Sequence, residues 1–151
     1  MHRYQEQDSP LTLAEGLADY YAVNRGVITR PDDLPPDSAA LFRSHDMCHV
    51  IFGLDTSLAD ETMADTRTLL GCDVGFRRYL RYLDSDKQAK ALFQALGVWR
   101  AAGAVVRALP RILRAVWEAW RMPKAWPWTP PDAYQRRRLV DLRNEYGIRV
   151  I

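Results

Sequence analysis

The chain has 151 residues, 48% of them apolar and 26% charged, so one domain with a hydrophobic core is expected. This composition excludes disordered, collagen-like and disulfide-scaffold proteins. Residues 1–73 carry 5 basic and 13 acidic side chains, whereas residues 74–151 carry 16 and 6, so the formal net charge of +2 conceals an acidic and a basic half. An acidic half suits a cation and a basic half suits an anionic surface, although the two halves could equally attract each other within one fold.

The first predicted element is a helix over residues 12–24, where apolar side chains recur at helical spacing. Residues 1–10 before it are expected to be frayed. Gly26 is a typical stop signal after the helix. Three prolines within residues 30–36 predict a loop, because proline fits neither a ladder nor a helix interior.

The second and third helices are predicted as a hairpin. The second covers residues 37–52, and a side chain able to cap it stands at each of its first two positions. Gly53 ends it. The third begins after Thr56 or Ser57 and ends near Gly71, with carboxylates in its first turns that suit the helix dipole.

The basic half is also predicted to be helical. Shorter helices are expected over residues 74–83 and 86–96, and a long one over residues 98–122, which Pro110 should kink or split. Residues 124–131 are rich in proline and tryptophan and form a rigid connector.

The last helix is predicted to begin near Asp132 and to end at Gly147. The chain has no convincing period-two alternation and no hairpin-turn dipeptide. The fold class is therefore all-α: a single-domain helical bundle with a metal-binding helical hairpin.

Two histidines and two carboxylates form the candidate site. His45 and His49 are four residues apart and share a face of the second helix, and Asp46 lies on the same side. Eleven residues separate His49 from Glu61, and in an antiparallel hairpin these two positions come level. A solvated His–Asp pair at a helix end is the ordinary alternative. Four potential ligands around one hairpin favour a metal site.

The mixed nitrogen and oxygen ligand set suits Zn²⁺ best and also admits Fe²⁺ or Mn²⁺. Its two negative charges would neutralise a divalent ion and make burial tolerable. Cys48 projects away from the histidine face, so we expect it, like Cys72, to be a buried structural thiol in a reducing compartment.

The segment HDMCHVIFGLDTSLADE resembles the His-Asp-x-x-His-x(11)-Glu signature of the ubiquinone (coenzyme Q) biosynthesis protein Coq-four family. The C-terminal RRRLVDLRNEYGI is similar to the last helix of that family, and the likeness spans residues 19–148. The chain is short and lacks an Arg-rich mitochondrial presequence, which indicates a bacterial-type relative.

The resemblance implies an all-α protein, peripheral on membranes, whose four motif residues bind zinc; here these are His45, Asp46, His49 and Glu61. It also implies binding of polyisoprenoid lipids and association with other coenzyme Q biosynthesis proteins. The family takes part in oxidative decarboxylation of the quinone head group at its C1 carbon. A metal- and isoprenoid-binding protein that assists this step is the function we expect.

Residues 98–122 favour lipid contact without reference to any family. Five arginines fall within one stripe of the helix, and apolar side chains occupy the other side: Arg100, Arg107, Arg111, Arg114 and Arg121 against Val105, Val106, Leu109, Ile112, Leu113 and Val116. Such a helix suits an anionic bilayer surface, and arginine also pairs with prenyl phosphate. A surface helix of any bundle has a similar pattern, so core packing remains the alternative.

Two other functions compete with the decarboxylation hypothesis. One is a non-enzymatic, lipid-binding scaffold with a structural zinc site. The other is a His–Asp metal-dependent phosphohydrolase, which would need a further upstream histidine, and only His2 is present. No recognised motif supports nucleic-acid binding. Self-association into a homo-oligomer is compatible with the sequence.

The expected location is the cytoplasm, at the inner face of the membrane. No stretch of about 18 uncharged apolar residues predicts a transmembrane span, and the N-terminus has no apolar signal core.

Overall fold

The computed structural model describes residues 2–85 and 98–150. Within these ranges it describes the side chains of all residues except 58, 81–85 and 98–108. Six α-helices lie in the described residues: α1 (Leu13–Val23), α2 (Pro36–Phe52), α3 (Leu58–Gly71), α4 (Phe76–Ser85), α5 (Val98–Trp120) and α6 (Leu139–Tyr146). Short 3-10 helices cover Arg3–Gln5, Pro31–Asp33 and Asp132–Arg136. The described residues contain no strand, so the all-α fold class is confirmed. The helix predicted over residues 86–96 lies outside the described residues.

Local capping explains the start of α1, the start of α3 and the end of α2, all close to the predicted bounds. Thr12 and Glu15 form a reciprocal capping box at the start of α1, and the Ser57 side chain accepts a hydrogen bond from the Asp60 backbone at the start of α3. Gly53 ends α2 in the left-handed conformation, with φ of 71°. The start of α2 differs from the prediction, because the helix begins at Pro36 without a side-chain cap. Proline supplies no orphan N–H there and its φ suits a first helical residue.

Helix α5 runs through Pro110 as one element, so of the two predicted effects of this proline the split is wrong, and the kink stays a prediction. It packs along α3, which in turn packs against α2. Arg111 ties the pair together, since its Nη2 lies 3.3 Å from Oδ1 of Asp60 at the start of α3. None of the helices in the described part of the chain is long and apolar enough to cross a membrane.

The predicted helix over residues 132–147 is wrong in its first half. A 3-10 helix ends at Arg136, and α6 begins only at Leu139. Between them the backbone is extended and pairs with the segment before α1. The Leu13 N–H donates to the Arg137 carbonyl at 2.9 Å, and the Leu139 N–H donates to the Leu11 carbonyl at 2.7 Å. These long-range bonds satisfy the backbone groups that a continuous helix would have paired internally.

The N-terminal segment is packed over residues 2–10, where the prediction of a frayed end over residues 1–10 is therefore wrong. Tyr4 and Ser9 are fully buried. Arg143 of α6 is also fully buried and holds this segment against the end of α2. Its guanidinium donates to the carbonyls of Tyr4 at 2.6 Å, of Val50 and Ile51 at 2.9 Å each, and of Glu6.

The connector over residues 124–131 covers one end of the bundle. Trp126 and Trp128 are buried within it. The backbone N–H of Trp126 donates to the Gly71 carbonyl at 2.7 Å. The backbone N–H of Trp128 donates to the Asp73 carboxylate at 2.6 Å. The C-terminal end of α3 is therefore closed by backbone contacts with this connector.

Candidate metal centre

The predicted hairpin brings three of the four predicted ligands together. His45 and His49 lie one turn apart on α2, near its end, and Glu61 lies in the first turn of α3. One nitrogen from each ring and one carboxylate oxygen lie within 4.8 Å of one another. A group of three such side chains could hold a metal ion.

The ligand atoms are close in all three pairs. Nε2 of His45 lies 3.0 Å from Nε2 of His49. Oε2 of Glu61 lies 3.6 Å from the first of these nitrogens and 3.4 Å from the second. A tetrahedral zinc ion, with ligands at about 2.0–2.1 Å, separates its ligand atoms by about 3.3 Å. The three atoms therefore have the spacing of one face of a zinc tetrahedron.

The centre is buried on the histidine side and open on the carboxylate side. His49 is fully buried and His45 is 4% exposed, whereas the Glu61 side chain is 36% exposed. The Tyr20 ring stacks on the His49 ring at a centroid distance of 5.4 Å and fixes its orientation. Among these three residues, Glu61 is the one that a ligand from solvent could reach.

The structure does not bring the Asp46 carboxylate into the group of three. Its Oδ2 accepts a hydrogen bond from the Tyr21 hydroxyl of α1 at 2.8 Å. Asp46 is one residue after His45, so its side chain is rotated by about 100° around the helix and faces α1. Ligation by Asp46 stays a prediction. Its observed hydrogen bond joins α2, which carries the two histidines, to α1.

Burial and neighbouring charges act against each other at this centre. Burial by itself would lower the pKa of His49, yet the charge of Glu61 and its hydrogen bond raise this pKa to about 9. Burial would raise the pKa of Glu61, but the charge of His49 holds it well below its usual range. Burial raises the pKa of Asp46 to about 6, against the opposing charge of His45. In the absence of a metal, a protonated His49 and an ionised Glu61 therefore attract each other.

Sequence reasoning missed Asp65, which stands one helical turn after Glu61 on α3. Burial raises the pKa of its carboxyl, opposed by a hydrogen bond from Tyr79 and by the charge of His45. Asp65 is four residues after Glu61, and this spacing could have indicated that the two carboxylates share a face of α3. The aromatic residues Tyr20 and Tyr21 were also missed, because an apolar stripe on α1 does not reveal which helix faces it.

Cys48 and Cys72 are buried, free and adjacent, with 3.7 Å between their sulfur atoms. Neither sulfur belongs to the group formed by the two histidines and Glu61. The prediction that both are buried thiols is confirmed.

The chain matches no protein-family model, no curated protein and no solved structure.

Proposed function

We propose that the chain binds one divalent ion, with Zn²⁺ preferred over Fe²⁺ or Mn²⁺, together with an isoprenoid lipid. Its role would be to assist C1 decarboxylation of a prenylated quinone precursor in ubiquinone biosynthesis. The observation that carries the metal part is the convergence of His45, His49 and Glu61 within 4.8 Å. The resemblance of the motif to the Coq-four signature supports the choice of pathway.

The number of ligands favours a reactive centre over a purely structural one. Structural zinc sites are closed by four protein ligands, whereas catalytic sites have three and leave a position open. Here the Asp46 carboxylate accepts a hydrogen bond from Tyr21 of α1, and the Glu61 side chain is partly exposed to solvent. A divalent ion in this place would supply Lewis acidity to stabilise negative charge as CO₂ leaves. The protein's part is to fix the imidazoles, through the burial of both rings and the stacking of the Tyr20 ring on His49.

The surface of α5 supports a second role, as a lipid-binding scaffold on a membrane. Four large apolar side chains lie along one exposed stripe, between 47% and 75% exposed; this apolar sector of α5 consists of Leu109, Leu113, Trp117 and Trp120. An exposed arginine sector lies beside it and consists of Arg111, Arg114 and Arg121. The core side of the helix is made by the small residues Ala115 and Ala119. Apolar side chains beside arginines are typical of contact with an anionic membrane.

Metal analysis of the purified protein, with lipid extraction from the same sample, tests the main proposal. We expect about one zinc or iron ion per chain and an isoprenoid or quinone in the extract. Glu61→Gln should lower metal affinity by at least about tenfold, because one charged ligand is lost. His2→Ala, which replaces an exposed histidine outside the centre, is the matched control and should keep the ion.

Asp46→Asn decides between three and four protein ligands. Full metal content in this variant supports the open centre, and loss equal to that of Glu61→Gln supports the closed, structural one. Wild-type protein that takes up no ion after incubation with Zn²⁺ would contradict the proposal.

Sedimentation with lipid vesicles tests the membrane role. Vesicles that contain phosphatidylglycerol should bring down the protein, and vesicles of phosphatidylcholine alone should not, because the arginine sector needs anionic headgroups. The double change Trp117→Ser with Trp120→Ser should abolish this binding. Val27→Ser, which alters an equally exposed apolar residue outside α5, is the control. Equal sedimentation of the wild type and the double variant would refute the assignment of this surface.

A further inference from the structure

Arg67 on α3 is a buried arginine whose charge the described residues leave unpaired. Its side chain is among the largest fully buried ones, and only 1% of the residue is exposed. The guanidinium carbon lies 5.1 Å from the centre of the Phe52 ring. Neither Nε nor Nη2 has a hydrogen-bond partner among the described residues, although both atoms are buried.

The second fully buried arginine, Arg143, shows what this fold does with a structural guanidinium. Arg143 donates to the carbonyls of Tyr4, Val50, Ile51 and Glu6, so its donors are satisfied by backbone groups. A buried donor without an acceptor is costly, and buried charges are normally paired or bound to an ion. The contact of Arg67 with an aromatic ring offsets only part of that cost. The contrast indicates that the acceptor for Arg67 comes from outside the described residues.

Among the described residues, the charged groups that act on Arg67 are one carboxylate and one further guanidinium, so the sum of the three charges is positive. Glu118 and Arg114 of α5 both act on the guanidinium, with opposite signs. No ion pair joins Glu118 to Arg67 within the described part of the chain. Burial lowers the pKa of Arg67 to about 10, which leaves the group charged at neutral pH.

We propose that Arg67 is the anchor of an anion-binding site between α3 and α5, and that its ligand is a phosphate group. The planar guanidinium presents paired donors that match phosphate oxygens, which a point charge would not do. Arg114 adds a second positive charge, and its neighbours Leu113 and Trp117 belong to the apolar sector of α5. The phosphate could therefore be the free ion or the headgroup of an amphiphile whose chain lies along that sector. The site does not depend on the metal centre, which lies on a different face of α3.

Ligand-induced thermal stabilisation tests this site with the full chain. Inorganic phosphate, dodecyl phosphate and uncharged dodecyl maltoside are each added to wild-type protein and to Arg67→Met. We expect at least one phosphate compound to raise the melting temperature of the wild type, and none to raise that of Arg67→Met. A response to both phosphates indicates the free ion as ligand, and a response to dodecyl phosphate alone indicates a lipid headgroup.

Without ligand, Arg67→Met should be as stable as the wild type or more stable, because an unpaired buried charge is replaced by an apolar side chain of similar length. Both proteins should take up Zn²⁺ equally, so a failure here is distinguishable from a failure of the metal proposal. A large loss of stability in Arg67→Met, with no effect of either phosphate on the wild type, would overturn the assignment.

Two milder variants keep the test decisive if Arg67→Met does not fold. Arg67→Lys retains the charge without the planar fork and should weaken phosphate binding at least tenfold. Glu118→Gln removes the nearby negative charge and should strengthen it several-fold. Arg136→Met, at an exposed position, should change nothing. Unchanged phosphate affinity in both Arg67→Lys and Glu118→Gln would also overturn the proposal.

Discussion

Replacement of Arg143 by methionine is expected to lower the free energy of unfolding by about 3–5 kcal/mol. The change removes the guanidinium donors that serve the buried carbonyls of Tyr4, Val50 and Ile51, and methionine supplies none. The Val50 carbonyl keeps a second donor, the Gly53 backbone N–H at 3.2 Å. Such a loss is a large fraction of the about 5–15 kcal/mol by which domains of this size are stable. Denaturant unfolding followed by circular dichroism measures it.

Arg138→Met is the matched control for this prediction. Arg138 stands five residues earlier and also makes a two-bond contact, with Asp141 at 2.8 and 2.9 Å, but both side chains are exposed. Exposed ion pairs contribute little, so this variant should unfold close to the wild type. Arg143→Lys should fall between the two, because lysine can reach some of the carbonyls but not all. Equal stability of Arg143→Met and Arg138→Met would show that water replaces the lost donors.

Zinc is expected to stabilise the protein more strongly at about pH 8 than at about pH 6. His49 has a raised pKa of about 9 in the metal-free protein, and the ring must lose that proton before it binds an ion. Each unit of pH below this value should weaken the apparent affinity about tenfold. With zinc at about 100 times its dissociation constant, the gain in unfolding free energy is about 2.7 kcal/mol. Thermal unfolding with and without zinc measures the difference.

The metal-free protein should show the opposite trend. Because the folded-state pKa of His49 is raised, its attraction to Glu61 stabilises the fold fully below about pH 6.5 and is lost as the pH rises through about 9. His49→Ala should remove both trends together. A zinc effect that does not change with pH, or that persists in His49→Ala, would show that the ion binds elsewhere.

The sequence was sufficient to predict features that depend on neighbours along the chain. Thr12 and Ser57 were recognisable as helix starts and Gly53 as a helix end, because capping involves residues three or four positions apart. His45 and His49 were assigned to one face by helical geometry alone. Glu61 required a further step, the antiparallel hairpin, and the short link between α2 and α3 made that step safe.

Features that depend on distant residues were beyond prediction. Arg143 follows a run of three arginines and has no local mark of burial; only the fold brings the carbonyls of residues 4, 50 and 51 around it. The extended pairing of Arg137 with Leu13 interrupts a sequence that is locally helical, because tertiary bonds outweigh a weak propensity. Asp46 shared a motif with the histidines, yet its contact is decided by Tyr21, a residue on another helix.

The hydrogen bonds that Arg143 donates have a consequence for the order in which the helices form during synthesis. These hydrogen bonds join residues 92 and 139 positions apart, and among them is the last turn of the helix that carries His49. A chain emerging from the ribosome exposes α2 and α3 long before α6 exists. The pair of helices therefore first forms without the hydrogen bonds from Arg143. Contacts of such high sequence separation slow folding. An ion bound early by the hairpin would protect this pair until the end of the chain arrives, and metal supply would then influence how much protein folds.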